Sequence, residues 1–186
     1  FVASHGQTVF HEPHKGITVQ IGNGQVIAND LGLKVVSDFR IKDVLLGGQG
    51  APLVPIGDKL LFSQYQACLN LGGFSNISFD LNGERIAFDI GPSNLPLNFM
   101  AEKWFGMSYD NQGNIARSGQ LIPALLDELN DLPFYDLAPP KSLGTEWLNT
   151  SFMPLLKREY KPEDLMCTLV HHQAKQIITV FEKYAL

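Results

Sequence analysis

The chain has 186 residues, of which 45% are hydrophobic, 18% charged and 10% aromatic. That balance excludes the disordered, collagen-like and coiled-coil classes, and the length suits one large domain or two small ones. Fourteen basic against nineteen acidic side chains leave a net charge of −5 with no Lys/Arg run, which argues against nucleic-acid binding and against a polybasic membrane patch.

In chain order, Thr8-Val9-Phe10 and Ile17 to Ile21 are short β-branched runs split by Pro13 and Gly16, the pattern of a hairpin. Val26 to Leu31 reads as a short helix stopped by Gly32, and Lys34 to Phe39 as the next strand. The Gly47-Gly48-Gln49-Gly50-Ala51-Pro52 stretch is a loop, and Pro55 to Phe62 has helical spacing. A fresh antiparallel sheet opens at Ala67: a strand to Leu71, the Gly72-Gly73 pair, Phe74 to Leu81, an Asn82-Gly83 turn, and Arg85 to Asp89. Gly91-Pro92 then reads as a reversal. Beyond it the apolar period changes, with helices expected from Ser93 or Asn94 to Phe105, over Leu121 to Leu129, over Trp147 to Tyr160 with a break near Pro154, and from Pro162 to Ala185. Pro133 to Lys141 is an irregular, proline-rich segment. Strands first and helices later indicate a mixed α/β protein with a domain boundary between residues 66 and 67.

Cys68 and Cys167 each lie within an apolar run and read as buried thiols of a reducing compartment, hence a cytoplasmic protein. No apolar run approaches the ~18 residues of a membrane span. The chain opens on Phe1-Val2-Ala3, without an initiator Met or a basic leader, as a piece of a longer protein would.

Four clusters have the residue types that chemistry requires. Ser4-His5-Gly6-Gln7-Thr8 follows the first strand, where polar groups line ligand crevices or simply cap a turn. Asp38-Phe39-Arg40-Ile41-Lys42-Asp43 places a guanidinium between two carboxylates, ahead of the glycine-rich loop with Gln49. This is either a structural ion network or a ligand approach, and it is not a Walker loop. Gly72-Gly73 with Ser75 and Asn76 gathers amide donors at a hairpin tip, as a phosphate site needs, though a plain turn also uses paired glycines. Asp89 ends a strand ahead of the next helix, a rigid mount for a general base or a helix-capping carboxylate. Nothing assembles a zinc site or a Ser-His-Asp hydrolase, since His171 and His172 face different sides of a helix and no Gly-x-Ser-x-Gly elbow occurs.

With these clusters in view, the sequence resembles the anhydro-N-acetylmuramic acid kinases, bacterial sugar kinases of the actin/hexokinase-like superfamily. The resemblance runs through SHGQTVFHEP from Ser4, TVQIGN from Thr18, VVSDFRIKDVLLGGQGAPLVP from Val35, LNLGGFSNIS from Leu69, FDIGPSN from Phe88 and PPKSLGTEW from Pro139. It implies an actin-like ATPase (ribonuclease H-like) α/β fold with mixed sheets and flanking helices. Residues 1–66 would close an N-terminal domain and residues 67–186 open a second one. It implies conversion of 1,6-anhydro-N-acetylmuramic acid, ATP and water into N-acetylmuramic acid 6-phosphate and ADP in cell-wall recycling, with Mg2+ and a tendency to dimerise. A non-catalytic sugar- or nucleotide-binding module of the same fold is the alternative.

Residue by residue, the resemblance makes Asp89 the base that activates water, with Gly72, Gly73 and Asn76 at the nucleotide. Gln7, Gln20, Asp38, Arg40, Asp43 and Gln49 would contact the sugar or hold its cleft, with Arg40 ordering Asp38 and Asp43. Asp89 is expected to be an exposed strand-end carboxylate near its ordinary pKa of about 4. The chain departs from the family pattern at Ile90 (a small Thr or Cys), Ser93 (a Gly) and Asn98 (an Asp). The family's N-terminal Gly-Thr-Ser-x-Asp-Gly phosphate loop and C-terminal Gly-Gly-Gly-x-x-Asn adenosine motif do not occur in it.

Overall fold

The computed structural model describes residues 1–48, 50–157 and 159–186. These divide into two compact units, Phe1–Gly57 and Asp58–Leu186. Asp58, the first residue of the second unit, is tied to its sheet: its Oδ2 accepts a 2.5 Å hydrogen bond from Ser78 Oγ.

In the first unit β1 (Val2–Ala3) pairs in parallel with β4 (Val35–Val36), and β2 (Gln7–Glu12) pairs antiparallel with β3 (Ile17–Ile21). Helix α1 (Gly24–Leu31) starts at Asn23, whose Oδ1 accepts from the amides of Gln25 and Val26, and ends at Gly32 in the left-handed region. The strand expected from Lys34 to Phe39 stops at Val36, because Asp38 takes a φ of 58° that no strand accommodates. A short helix α2 (Ile41–Leu45) follows, and α3 (Val54–Leu61) carries the chain past Gly57. Val44 is the one hydrophobic side chain buried among the described residues of this unit, while Phe10, Ile21, Leu45 and Leu46 lie exposed.

The second unit is a three-stranded antiparallel sheet in the order β5 (Ala67–Leu71), β6 (Phe74–Leu81), β7 (Glu84–Pro92), followed by helices. Strand β7 runs through Gly91-Pro92, where a reversal was expected; it is an edge strand, and only there is a proline's missing N–H harmless to the ladder. Helices α4 (Asn94–Phe105), α5 (Asn114–Ser118), α6 (Pro123–Asn130), α7 (Thr145–Trp147) and α8 (Pro162–Tyr184) complete it, with a π turn at Leu148–Phe152 continuing α7. The expected Trp147-to-Tyr160 helix is therefore a set of short turns, and α5 carries too few residues to show a period.

Helix α8 joins two cores. Its N-terminal half places Leu165, Met166 and Leu169 among Met100, Leu125, Leu129 and Phe152. Its C-terminal half lays Ile177, Val180, Phe181 and Tyr184 on the sheet face formed by Ile77, Phe79, Phe88 and Ile90. At 1.5 Å per residue a helix of 23 residues reaches about 34 Å, long enough to serve both. Cys167 is buried as expected, whereas Cys68 on β5 is only half-buried; both are free thiols. No helix among the described residues is long and apolar enough to cross a membrane.

This asymmetry of burial predicts different behaviour for the two units expressed separately. Residues 58–186 should unfold cooperatively on heating, followed by circular dichroism, and residues 1–57 should show no cooperative transition, because two-stranded sheets with one buried hydrophobic cannot offset chain entropy.

Candidate functional site

Within the second unit the ladder brings three polar residues into one row. Asn70 pairs with Asn76, and Asn76 with Asp89, so the three lie abreast across β5, β6 and β7. Cross-strand neighbours of this kind sit roughly 5 Å apart at Cβ on the same face. The register slips between Ser75 and Asn76, which leaves Ile90 as an extra residue beside Asp89. Such bulges re-aim side chains and are common next to active sites. Asn70 lies in the LNLGGFSNIS string without an assigned role, and the strand register brings it into the row.

Asp89 is neither at a strand end nor fully exposed. It lies inside β7 and is half-buried. Because β7 is an edge, its outward amide needs a partner, and Asp89 N donates to Lys141 O at 3.0 Å. Leu143 N then turns back and donates to Asp89 Oδ2 at 2.8 Å. Among the described residues Oδ1 accepts no hydrogen bond. Burial raises the Asp89 carboxyl above its ordinary value, and the Leu143 amide offsets only part of that rise. The expectation of an unperturbed carboxylate is thus corrected: the segment that covers Asp89 comes from far along the chain.

Behind the row lies a buried polar chain. Tyr135 rests against Gly91, where an added Cβ would stand 3.2 Å from the phenol oxygen. The Tyr135 hydroxyl lies 2.7 Å from His172 Nε2, and His172 Nδ1 lies 2.9 Å from Asn130 Oδ1. The Asn130 carbonyl only accepts, and Gln176 Nε2 also donates to it at 2.8 Å, so His172 carries its proton on Nδ1 and accepts from Tyr135. Burial pushes the His172 imidazole down to about 4 and the Tyr135 hydroxyl well up, which keeps both neutral.

The Gly72-Gly73 turn is built differently from the expected bare donor tip. Its carbonyls seat the start of α4: Ser93 N and Leu95 N donate to Gly73 O at 2.9 and 3.2 Å, and Asn94 N to Gly72 O at 3.1 Å. A Cβ at Gly73 would meet Leu95 Cγ at 2.9 Å, so a side chain there would have to displace Leu95. Asn76 is half-buried beside Asp89.

In the first unit the predicted residues gather in two places. Gln20 Nε2 donates to Thr18 Oγ1 at 2.8 Å, which ties its amide to the hairpin, and Gln7 is exposed at the start of β2. Arg40 forms no ion pair with Asp38 or Asp43 among the described residues, contrary to expectation. Its Nε donates to His5 Nε2 at 3.0 Å and its Nη1 to Gly50 O at 2.6 Å, while Asp43 Oδ2 accepts from Gly50 N at 2.6 Å. Arg40 and Asp43 therefore grip opposite sides of one glycine, whose φ of +64° and approach to Val44 leave no room for a side chain. Asp38 is exposed, takes a left-handed conformation and accepts from Ser37 Oγ at 3.1 Å. Gln49 lies outside the described residues.

The model of the family described as anhydro-N-acetylmuramic acid kinase matches residues 1–185. The chain belongs to that family. With it comes the actin-like ATPase fold expected from the motifs, of which the mixed α/β units form part. The anhydro-N-acetylmuramic acid kinase of Pseudomonas putida is 44% identical over 187 residues, covering 95% of this chain and 51% of its own length. That of Pasteurella multocida is 42% identical over 186 residues, covering 95% and 49%, and that of Nitrosomonas europaea 37% identical over 190, covering 98% and 52%. The chain spans about half the length of these curated kinases.

The buried imidazole in this member of the kinase family predicts an acid-sensitive second unit. Below pH about 6.5 an unfolded His takes up a proton that folded His172 refuses, so stability falls as pH drops toward about 4, by about 3 kcal/mol in total. His172→Gln keeps a donor and an acceptor but does not titrate. Melting temperatures at pH 7 and pH 5 should converge in the variant and diverge in the wild type.

Proposed function

We propose that the chain forms part of an ATP-dependent kinase that converts 1,6-anhydro-N-acetylmuramic acid, ATP and water into N-acetylmuramic acid 6-phosphate and ADP. The observation that carries this reading is the half-buried Asp89, with one oxygen held by Leu143 and the other accepting no hydrogen bond among the described residues, in a chain of this family. Water must lose a proton as its oxygen attacks the anomeric carbon. The bond from that carbon to the bridging oxygen breaks, and the bridging oxygen takes the γ-phosphoryl group. Asp89 Oδ1 is the acceptor for the proton. Partial burial makes it a stronger base than an exposed aspartate, while Leu143 keeps the carboxylate from rotating.

The amides of Gly72 and Gly73 with Asn76 are proposed to face the nucleotide's phosphates, since paired glycine amides form an anion-binding concavity. Among the described residues no three His, Cys, Asp or Glu side chains cluster to hold a metal ion. The Mg2+ implied by the family is proposed to come with the nucleotide's phosphates, which is its usual mode. Gln7, Gln20, Asp38, Arg40 and Asp43 remain the proposed sugar-side group, with Arg40 and Asp43 acting through the Gly50 loop they brace. A homodimer, a cytoplasmic setting, and residues 1–66 and 67–186 as parts of two actin-like domains belong to the same proposal.

The test is an assay of the protein containing both this chain and the half its relatives carry beyond it. With ATP and 1,6-anhydro-N-acetylmuramic acid it should give ADP and sugar phosphate in equal amounts, with one oxygen from labelled water at the anomeric position. Phosphorylated product without that oxygen, or no turnover, rejects the reading. Asp89→Asn should lower kcat by roughly 10²–10⁴-fold with little change in ATP affinity. Its melting temperature should be unchanged or higher, because a desolvated charge is removed. The acid limb of the wild-type kcat/KM profile should lie above the ~3.9 of an ordinary aspartate, since only the deprotonated base works.

A further inference from the structure

The segment that covers Asp89 is itself held by one cation. Lys141 Nζ donates to Phe134 O at 3.1 Å and to Tyr135 O at 3.3 Å, and it sits 4.5 Å from the centre of the Phe134 ring. These bonds close residues 134 to 141 into a ring. The first end of that ring is anchored. Phe134 is buried, and Tyr135 is hydrogen-bonded to His172 in α8 while packing on Gly91. From the closed ring the backbone delivers Lys141 O to the Asp89 amide and Leu143 N to the Asp89 carboxylate. An ordinary surface lysine keeps its ammonium in water. This one gives up part of its hydration for two carbonyls and an aromatic face.

We infer that Lys141 is a positioning residue for Asp89: its ammonium cinches the 134–143 segment into a strap that fixes and half-dries the carboxylate. The inference rests on the reading of Asp89 as the water-activating base. The charged and titratable groups around the strap are Tyr135 and Asp136 on the turn and His172 and Lys183 on α8. Asp136 favours the charged ammonium, whereas burial and Lys183 oppose it. Tyr135 and His172 stay neutral through the working range, so the strap's electrostatic effect on Asp89 does not switch with pH there.

The experiment uses Lys141→Met and Lys141→Arg in the full-length enzyme. Met keeps the apolar stem and loses the donors; Arg restores donors and charge. Lys141→Met should lower kcat roughly 10- to 100-fold with the KM for ATP within about twofold, the usual penalty for a misplaced group. It should also move the acid limb of kcat/KM to lower pH, because a loosened strap lets water reach Asp89. Lys141→Arg should recover most of both. In an Asp89→Asn background, Lys141→Met should cost almost nothing further, since its effect passes through the missing carboxylate. A Lys141→Met enzyme with wild-type kcat and acid limb, or one whose loss adds fully to that of Asp89→Asn, overturns the inference. Should the Met variant fail to fold, Lys141→Gln takes its place with the same expectations. A carbon-13 titration of the Asp89 carboxyl reads the strap without catalysis. It should fall toward the ordinary value in Lys141→Met even if the sugar-kinase reading fails, and an unchanged titration overturns the inference on its own.

Discussion

An edge strand has outward-pointing amides that must find partners, and in the second unit one such amide sets the geometry of the candidate site. Asp89 N is met by Lys141 O, and the same stretch returns Leu143 N to the Asp89 carboxylate. One short segment thus satisfies the backbone, orients the side chain and takes part of its water away. The raised pKa follows from that cover rather than from a neighbouring charge, because burial is the dominant cause. The Tyr135–His172–Asn130 chain then explains how the segment stays in place: its anchor is a buried, neutral and fully bonded polar group.

Much of this arrangement was legible in the sequence. Alternation and turn chemistry marked both hairpins, since Gly72-Gly73 and Asn82-Gly83 interrupt runs of period two. Pro162 at the first position and the apolar stripe marked α8. The strand-to-helix setting of Asp89 left a base and a helix-capping carboxylate open, and the family resemblance pointed to the base. Its burial was not legible: the residues that cover it are distant in sequence, and local pattern holds no information about such contacts. The same holds for Asn70, which enters the row through strand register alone. Arg40 misled for another reason. Two nearby carboxylates suggest ion pairing, yet the left-handed turn at Asp38 and the capture of Asp43 by Gly50 direct the guanidinium to His5 and a backbone carbonyl.

The two units illustrate two ways in which sequence specifies structure. In the second, a pair of hydrophobic clusters shares α8, so the positions of the sheet and of the helices are fixed by one element. In the first, apolar burial is slight and the polar contacts are correspondingly prominent, with Arg40 and Asp43 bracing Gly50 from both sides. Membership of the anhydro-N-acetylmuramic acid kinase family gives both arrangements a common setting, since the match runs across the two units from residue 1 to 185.

The carboxylate of Asp89 and the backbone of residues 141–143 hold each other, and amide hydrogen exchange reads both sides of that clip. In the wild-type protein the amides of Asp89 and Leu143 should be strongly protected, although Leu143 lies in a segment without regular structure. In Asp89→Ala the Leu143 amide should lose its protection while the β5–β6 ladder keeps its own. If Leu143 exchanges at the rate of an open loop in the wild type, or if its protection survives the loss of the carboxylate, the clip does not exist.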